Sequence, residues 1–299
     1  MTAFFISLIF KLMILYIFVE WIIYFNMFKI FDLHNDFYLN LNSDKKLDKY
    51  IAKNERLAEN IIAAIWTSEM NEKETFSVLE RARDYLSLKQ NVFLAVEDLH
   101  FLGKENLEKF ISFKPIYAGL TWNRSNALAG GALESGRLTS FGKRVLLELQ
   151  NNNIVVDTAH LNEDSFSDVL KVSEKPVICS HTAFYGLNQN ARNLKDYQIK
   201  MIIDSGGIVG LTLVSDFLNG DTKSDANDVV SHIDYFACKF GIDNLAVGTD
   251  FYGTNHLPSG ANSYKKLLNN VSSKLRKLGY TEKSIDKIYY TNASMFFKI

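Results

Sequence analysis

The sequence predicts a single (β/α)₈ barrel of the TIM type, and three observations support this fold class. Short, β-branched apolar runs alternate with amphipathic stretches from residue 28 onward, which favours a parallel sheet with helical crossovers. There are eight of these runs, the number that closes such a barrel. The runs are almost continuously apolar, as expected for strands that are covered on both faces. A hydrophobic N-terminal segment precedes the predicted barrel.

The predicted elements follow one another in the alternating order that the barrel requires. A composition of 47% hydrophobic and 22% charged residues is that of a folded protein with a sizeable core. The prediction of a closed barrel depends on the count of eight strands, so one wrongly assigned strand would bring the fold class back into question. The predicted strands are Phe28–His34, Ile61–Ser68, Val92–Glu97, Pro115–Trp122, Ile154–His160, Pro176–His181, Gly207–Leu213 and Leu245–Phe251. The predicted helices between them include Glu74–Leu88, Ser140–Asn151, Glu163–Ser173, Lys195–Ser205 and Asp225–Phe240.

The segment ahead of the predicted barrel is almost entirely apolar over residues 4–25 and contains the charged residues Lys11 and Glu20. Its length would span a bilayer, but each central charge opposes insertion by roughly 2.5–3.5 kcal/mol. It lacks the positively charged start and the small-residue cleavage site of a secretory signal. Three interpretations stay open: a misassigned start upstream of Met27, a membrane anchor, or a peripheral helix.

We therefore predict two regions, a hydrophobic leader over residues 1–26 and a barrel over residues 27–299. The protein is expected to be cytoplasmic if translation starts at Met27. It is expected to be attached to a membrane through residues 4–25 if the leader is retained.

Charge and cysteine content exclude some classes of function. The net charge of −1 provides no basic field, so no nucleic-acid partner is expected. The two cysteines, Cys179 and Cys238, form neither a disulfide framework nor a CxxC metal site. We expect both to pack as small apolar residues.

The most informative short motif is His34-Asn35-Asp36, which ends the apolar run of the first predicted strand. In an extended strand, residues i and i+2 point to the same side, so this imidazole and this carboxylate would converge on one point. A nitrogen and an oxygen ligand at a strand end are typical of hydrolytic metal sites. A chance HxD tripeptide is common, so the motif gains its weight from what recurs downstream.

Four further acidic or imidazole residues lie at the ends of other predicted strands. Glu97 ends the third strand, His160 the fifth and His181 the sixth, and Asp250 lies at the end of the eighth. The active site of such barrels is built at the carboxyl ends of the strands. Together with Asp36, five strand ends therefore bring His, Asp or Glu to one rim, which predicts a metal site.

Each of these residues also has an ordinary structural interpretation. Taken singly, His160 is more often a hydrogen-bonded core residue, Glu97 could cap the next helix, and Asp250 could shape a turn. Only their joint placement favours a metal site. The remaining histidines are predicted to be structural or surface residues: His100, His232 and His256.

These motifs resemble the membrane dipeptidase (renal dipeptidase) family of zinc peptidases, within the amidohydrolase-like barrels, and in particular its bacterial-type members. The resemblance covers nearly the whole chain after the leader, and it is specific because the order and separations of the motifs also match. The matching motifs are Asp32-Leu33-His34-Asn35-Asp36, Ala95-Val96-Glu97, Gly119-Leu120-Thr121-Trp122-Asn123, Leu138-Thr139-Ser140-Phe141-Gly142, Val156-Asp157-Thr158-Ala159-His160, Val177-Ile178-Cys179-Ser180-His181, Ala191-Arg192-Asn193-Leu194 and Gly248-Thr249-Asp250-Phe251.

The resemblance implies a site with two zinc ions (Zn²⁺) per chain. The implied ligands are His34 and Asp36 for one ion, His160 and His181 for the other, and Glu97 as the bridge. Imidazole and carboxylate groups suit zinc. In a site of this kind, a metal-bridging hydroxide attacks the scissile carbonyl.

Three more positions take roles from the same resemblance. Asp250 would act as general base and then as general acid. Arg192 would clamp the terminal carboxylate of the substrate with its planar guanidinium, although a surface residue that caps the next helix is the alternative. Trp122 stands where many members carry a histidine that polarises the scissile carbonyl. Since an indole has one N–H donor and no basic nitrogen, we expect Trp122 to contact substrate and to alter the substrate range.

The leading hypothesis is zinc-dependent hydrolysis of dipeptides, including those with a D residue at the second position. Two alternatives stay open: a metal-dependent hydrolase of another small amide or lactam, and a non-catalytic metal-binding homologue. The complete set of ligand residues weighs against the second alternative. The resemblance leaves open whether the chain is a monomer or a homodimer.

Overall fold

The protein, described here by a computed structural model over residues 28–299, forms a closed barrel of eight parallel strands in the order β1 to β8. This architecture confirms the predicted fold class. The predicted leader, residues 1–26, lies outside the described residues. Among residues 28–299, no helix combines the length and the apolar character needed to cross a membrane.

All eight predicted strands are present, with bounds that differ by a few residues from those predicted. Each strand pairs in parallel with its neighbours in sequence, and β1 pairs with β8 through Asp32 and Val247 to close the barrel. The strands are β1 (Ile30–Asn35), β2 (Ala58–Trp66), β3 (Val92–Glu97), β4 (Tyr117–Gly119), β5 (Val155–Asp157), β6 (Ile178–Thr182), β7 (Ile208–Leu211) and β8 (Leu245–Val247).

The predicted ends of β5 and β8 are wrong, because His160 and Asp250 lie beyond these strands rather than within them. Both residues adopt a left-handed backbone conformation, with φ of 68° and 59°. A strand cannot continue through that conformation. The two side chains therefore come from the loops that follow β5 and β8, above the rim of the barrel. The predicted fourth strand is also too long at its end, since Trp122 follows the last residue of β4.

Helices lie between successive strands and cover the outside of the barrel. Helix α3 shows how the sequence specifies them: the Asn71 side chain accepts from the Glu74 N–H, and the Glu74 carboxylate accepts from the Asn71 N–H. The helices are α1 (Phe37–Leu41), α2 (Asp44–Asn54), α3 (Glu72–Leu86), α4 (Leu107–Ile111), α5 (Ser140–Asn151), α6 (Glu163–Val172), α7 (Asp196–Asp204), α8 (Ser215–Asn219), α9 (Ala226–Phe240), α10 (Tyr264–Lys266), α11 (Ser272–Lys277), α12 (Glu282–Asp286) and α13 (Asn292–Phe297), with π-helical turns at Leu267–Val271 and Lys287–Thr291.

The interior of the barrel is filled at its N-terminal end by rings from the last helices. Phe31 of β1 stacks on Phe297 of α13 at 5.7 Å between ring centroids, and Tyr290 lies 6.3 Å from the same ring. Ala293 is buried in the same cluster. This aromatic plug closes the N-terminal mouth, so the C-terminal mouth is the one left for a site.

The cysteine prediction is half right. Cys179 of β6 is buried, as expected, whereas Cys238 is exposed on α9. Cys238 follows the buried Phe236 by two residues, which places it on a different face of the helix.

Candidate active site

The C-terminal rim of the barrel gathers the residues that the sequence singled out. His34 lies in β1, and Asp36 follows directly at the start of α1. Glu97 is the last residue of β3, and His181 lies in β6. His160 and Asp250 complete the set from their loops. Among residues 28–299, possible ligand atoms form three compact groups, each within 4.8 Å, and two of them contain only residues that the sequence singled out: Glu97, His160 and His181, and His34, Asp36 and Asp250.

Glu97 lies between the histidines and presents a different oxygen to each side. Its Oε1 is 2.6 Å from His160 Nε2 and 3.6 Å from His181 Nε2. Its Oε2 is 3.9 Å from His34 Nε2, which in turn lies 3.4 Å from Asp36 Oδ2. A carboxylate in this position can serve two cations at once, one with each oxygen.

The three histidines turn the same nitrogen toward Glu97, because each donates its Nδ1–H away from the site. His160 Nδ1 lies 2.9 Å from Asn123 Oδ1, which can only accept. His34 Nδ1 lies 2.8 Å from the Tyr117 hydroxyl, whose own proton goes to the Leu33 carbonyl. An outward Nδ1–H leaves Nε2 as the nitrogen that can bind a metal ion.

His181 also carries its ring proton on Nδ1 and keeps Nε2 as an acceptor. Its Nδ1 lies 2.9 Å from Ser180 Oγ, and its Nε2 lies 2.9 Å from Arg192 Nη2. Since a guanidinium can only donate, His181 Nε2 is an acceptor and the ring proton is on Nδ1.

The site fits a cation. His160 Nε2 faces Glu97 Oε1 at 2.6 Å and His181 Nε2 at 2.9 Å, so three acceptor atoms crowd together. Such atoms repel one another unless a positive charge lies between them. Within residues 28–299, the buried His34 Nε2 and Asp36 Oδ2 have no hydrogen-bond partner. Unpaired buried atoms of this kind are costly, and a metal ion would satisfy them.

Burial and nearby charges shift the pKa values of His34 and His160 in opposite directions. Burial disfavours a charged imidazole at His34, but Asp36, Glu97 and Asp250 outweigh it and raise the pKa of His34 to about 10. Burial and the nearby Arg192 instead lower the pKa of His160, to about 4. The His34 side of the site therefore attracts positive charge, while the His160 side stays neutral.

The pKa values of the carboxyl groups of Glu97 and Asp250 are also shifted in opposite directions. Burial opposes ionisation of Glu97, but His160, His34 and Arg192 outweigh it and lower its pKa to about 2. Burial and the neighbouring Asp36 raise the pKa of Asp250 well above its usual value. Asp250 is thus the carboxyl group of the site most ready to hold a proton.

A glycine makes room for the two carboxylates of the first group. A Cβ atom on Gly253 would lie 2.0 Å from Asp250 Oδ1 and 2.6 Å from Asp36 Oδ2. The backbone of the loop after β8 therefore touches both carboxylates. Only glycine allows this approach.

Asp32 anchors this side of the site, and the sequence reasoning did not assign it a role. Its fully buried carboxylate accepts from the backbone N–H of His34 and of Thr249, at 3.2 and 2.8 Å. It also accepts from the Thr249 hydroxyl at 2.6 Å, from the Asn35 amide at 3.1 Å and from the Tyr264 hydroxyl at 2.5 Å. These bonds tie β1 to the loop that carries Asp250. An aspartate within an apolar strand run was the available signal.

Arg192 is buried, so the surface alternative for this residue is wrong. Its guanidinium lies 5.4 Å from the centre of the Phe217 ring and donates to His181. A cavity of about 200 Å³ opens beside it, lined among others by Tyr185, Lys195 and Gln198. The arginine therefore stands between the ligand cluster and a small polar cavity.

Trp122 lies beside the cluster, next to His160. Its half-buried ring is 5.9 Å from the His160 ring and meets Trp66 edge-on at 5.3 Å. Trp66 ends β2 and pairs in register with Glu97, so the two side chains share one side of the sheet. The aromatic pair Trp66–Trp122 was not foreseen as a unit, because its members lie far apart in the sequence.

The other three histidines do not join the ligand groups. His232 is buried, accepts from the Phe184 N–H and contacts the Leu218 carbonyl. His100 lies beside Asp98, and His256 pairs with an aspartate on α8. Their predicted structural or surface roles agree with these positions.

The fold and the site together define a barrel hydrolase with candidate metal ligands on its C-terminal rim. A family model for membrane dipeptidases, peptidase family M19, matches residues 48–298. The chain therefore belongs to the membrane dipeptidase family and is a hydrolase of the metallopeptidase class. The family resemblance drawn from the motifs is confirmed.

Individual relatives agree with this family. An uncharacterised protein from the pqqA 5′ region of Klebsiella pneumoniae is 30% identical over 186 residues, 58% of this chain and 68% of that protein. An uncharacterised dipeptidase of Schizosaccharomyces pombe is 25% identical over 217 residues, 69% of this chain and 52% of that protein. The chain thus matches about half the length of the yeast protein.

Solved structures share the fold. A metallopeptidase from Rhodobacter sphaeroides, bound to a phosphinate mimic of the dipeptide L-Ala-D-Ala, superposes with a TM-score of 0.79 at 21% identity, covering 91% of this chain and 99% of that one. An amidohydrolase from Pseudomonas aeruginosa superposes with a TM-score of 0.80 at 19% identity, covering 92% and 97%.

Proposed function

We propose that this protein hydrolyses the peptide bond of dipeptides with the help of two zinc ions. The observation that carries the proposal is the convergence of three imidazole Nε2 atoms on the two oxygens of Glu97. Nitrogen and carboxylate ligands suit zinc, and a shared carboxylate suits a pair of ions. His34 and Asp36 would hold one ion, and His160 and His181 the other. When bound, the ions would acidify a water molecule between them and polarise the scissile carbonyl.

The chain itself supplies the proton transfers. Asp250 lies among the ligands, and its raised pKa suits a group that takes a proton from the attacking water and passes it to the leaving amine. The same carboxyl group would therefore act first as base and then as acid.

Arg192 would pair with the terminal carboxylate of the substrate. A planar guanidinium binds a carboxylate with two parallel hydrogen bonds. Because Arg192 lies next to the ligand cluster, its reach would accept a dipeptide and exclude longer chains, whose carboxylate lies elsewhere. The dipeptide mimic bound to the Rhodobacter sphaeroides relative supports this substrate class and motivates a test of D residues at the second position.

The test is hydrolysis by the purified full chain, loaded with zinc, of L-Ala-L-Ala and L-Ala-D-Ala. We expect release of free amino acids that a chelator abolishes and added zinc restores. The His160→Ala variant should lose hydrolysis. Two bound ions without hydrolysis of any dipeptide would contradict the proposed reaction, and absence of zinc binding would contradict the metal site itself.

A second candidate is hydrolysis of another small amide or lactam by the same site. The observation that favours it is the position of Trp122, whose ring packs between Trp66 and His160 at the edge of the ligand cluster. Trp122 offers no imidazole to a substrate carbonyl. Trp122→His supplies that imidazole and removes the larger indole ring. If Trp122 restricts the substrate, wild type should prefer other amides over dipeptides, and the Trp122→His variant should gain activity toward dipeptides. The same ratio of amide to dipeptide hydrolysis in both proteins would argue against the candidate.

A further inference from the structure

The three ligand histidines differ in what receives their outward N–H. The partners of His34 and His160 are a neutral phenol and a neutral amide, from Tyr117 and Asn123. The partner of His181 is Ser180 Oγ, which lies 2.5 Å from Asp157 Oδ2. His181 is thus joined, through a hydroxyl at 2.9 Å, to a buried carboxylate, whereas the same hydroxyl lies at the longer distance of 3.5 Å from His34 Nδ1.

In the series Asp157, Ser180 and His181, the direction of each hydrogen bond is set by the groups at the two ends. At one end, Arg192 donates to His181 Nε2, so the ring proton is on Nδ1 and points to Ser180 Oγ. At the other end, the Ser180 hydroxyl donates to Asp157 Oδ2. The hydroxyl can do both because it accepts one hydrogen bond while donating another.

Asp157 is not placed to bind a metal ion itself. It lies within 4.8 Å of ligand atoms of His34 and His181, which would permit coordination by distance alone. Its Oδ1, however, already accepts from the backbone N–H of Ser180 at 2.8 Å and of Ala159 at 3.1 Å, and its Oδ2 accepts from the Ser180 hydroxyl. These three donors already use three of the roughly four acceptor sites of the carboxylate.

We propose that Asp157 is a positioning residue that acts through Ser180 to hold His181 in the tautomer whose Nε2 binds a metal ion. The inference rests on the proposed function for the use of that nitrogen. An outward partner fixes both the ring orientation and the basicity of a ligand histidine, and removal of such partners typically costs 10–100-fold in metal affinity.

The hydrogen-bonded series Asp157, Ser180 and His181, called the relay from here on, predicts a distinctive effect of Asp157→Asn. The amide oxygen keeps the two backbone hydrogen bonds, so the amide NH₂ takes the place of Oδ2 and donates to Ser180 Oγ. The serine hydroxyl must then turn its proton toward His181 Nδ1, which moves the ring proton to Nε2 and blocks that nitrogen. Asp157→Asn therefore opposes the tautomer that Arg192 favours at the other end of the ring, whereas Ser180→Ala leaves Arg192 alone to hold that tautomer.

The effects of the two changes should not add. We expect Asp157→Asn to weaken zinc binding by about 100-fold and Ser180→Ala by about tenfold. The double variant should resemble Ser180→Ala, because Asp157→Asn cannot oppose that tautomer without the hydroxyl. Ser180→Ala thus rescues part of the loss. A carboxylate with a merely structural role would give losses that add.

The experiment measures two quantities on the full chain and its variants. The first is the dissociation constant for zinc, by competition with a chromophoric chelator. The second is the tautomer of His181 in the metal-free protein, from the ¹⁵N shifts of labelled histidine. Ser165→Ala is the matched control, since Ser165 is a buried serine whose hydroxyl accepts from the Gly130 N–H, away from the ligands. The free energy of unfolding of each variant accompanies both measurements.

The expected result is an Nδ1–H tautomer in wild type and in the control, and an Nε2–H tautomer in Asp157→Asn. An unchanged tautomer in Asp157→Asn, or additive losses in the double variant, would overturn the relay. The tautomer is read without metal or substrate, so a protein that shows the expected shifts but hydrolyses no dipeptide would contradict the proposed function alone.

Discussion

The two halves of the ligand cluster are built differently. In the first half, His34 and Asp36 are two residues apart, and Asp250 joins them through backbone hydrogen bonds between β1 and the loop after β8. In the second half, His160 and His181 come from separate segments and are held by side chains behind them. The first half is rich in carboxylates and the second in imidazoles, with Glu97 between them.

In the proposed metal site, the two halves would therefore hold a cation by different means. The first half attracts positive charge, since three carboxylates raise the pKa of His34, while the second half depends on neutral rings with the right tautomer. The first half should therefore respond to changes in charge and space, and the second to changes in hydrogen bonding. Each prediction below tests that division.

The largest effect is expected from Glu97→Gln, because Glu97 serves both halves. In the proposed two-ion site, a neutral amide would lose one acceptor and the charge that both cations would share, so we expect a loss of about 10⁴-fold or more in kcat/KM and loss of bound zinc. Elemental analysis and dipeptide assays check it, with the exposed Glu108→Gln on α4 as control. Retention of two ions would show that the halves do not share this carboxylate.

Asp250→Asn should separate proton transfer from metal binding within the first half. If Asp250 is the acid–base group, kcat falls by about 10³-fold while the zinc content stays at the wild-type level. Zinc content and kcat are measured on the same preparation. A drop in zinc content would instead make Asp250 a ligand, as its distance from His34 and Asp36 also permits.

Gly253→Ala should damage the first half alone. The added methyl group would displace the carboxylates of Asp36 and Asp250, and a misplacement of about 1 Å can cost roughly 10²-fold in rate. Competitive titration should show one weakened and one normal zinc site. Gly103→Ala is the control, because the three atoms nearest to its Cβ would all belong to the exposed side chain of Glu105, which can move away. Equal weakening of both sites would break the division.

The smallest effect is expected from Tyr117→Phe, which removes the outward partner of His34. The carboxylates still favour His34 as a ligand, so we expect a loss of only about tenfold in zinc affinity. This loss should be smaller than that of Asp157→Asn in the second half. The opposite order, measured by the same zinc titration, would show that hydrogen bonding governs the first half as well.

Much of the fold, and the convergence of the candidate ligands on one rim, could be predicted from the sequence. Strand β3 and helix α5 have the predicted bounds, because apolar runs and amphipathic periodicity specify them locally. His34 and Asp36 were readable from their spacing. Glu97, His160 and His181 were readable once the barrel rule placed them on one rim.

The supporting residues could not be predicted, since their roles depend on partners from other strands. Asp32 and Asp157 are buried carboxylates in short apolar runs, and nothing in those runs shows which donors will face them. The contact of Trp66 with Trp122 likewise exists only once β2 and β4 are placed around β3. The left-handed backbone at His160 and Asp250 could not be predicted either, because His and Asp are enriched in this conformation but only a small fraction of them adopts it.

The aromatic plug at the N-terminal mouth has a consequence for how the chain folds during synthesis. Phe31 comes from the first strand, and its ring partners Tyr290 and Phe297 are made among the last residues. Contacts between such distant parts of a chain form late and slow the folding of the whole domain. Until Phe297 leaves the ribosome, the nascent barrel exposes an apolar opening that invites aggregation. The interior of the barrel is therefore completed only after the residues around Phe297 have been synthesised.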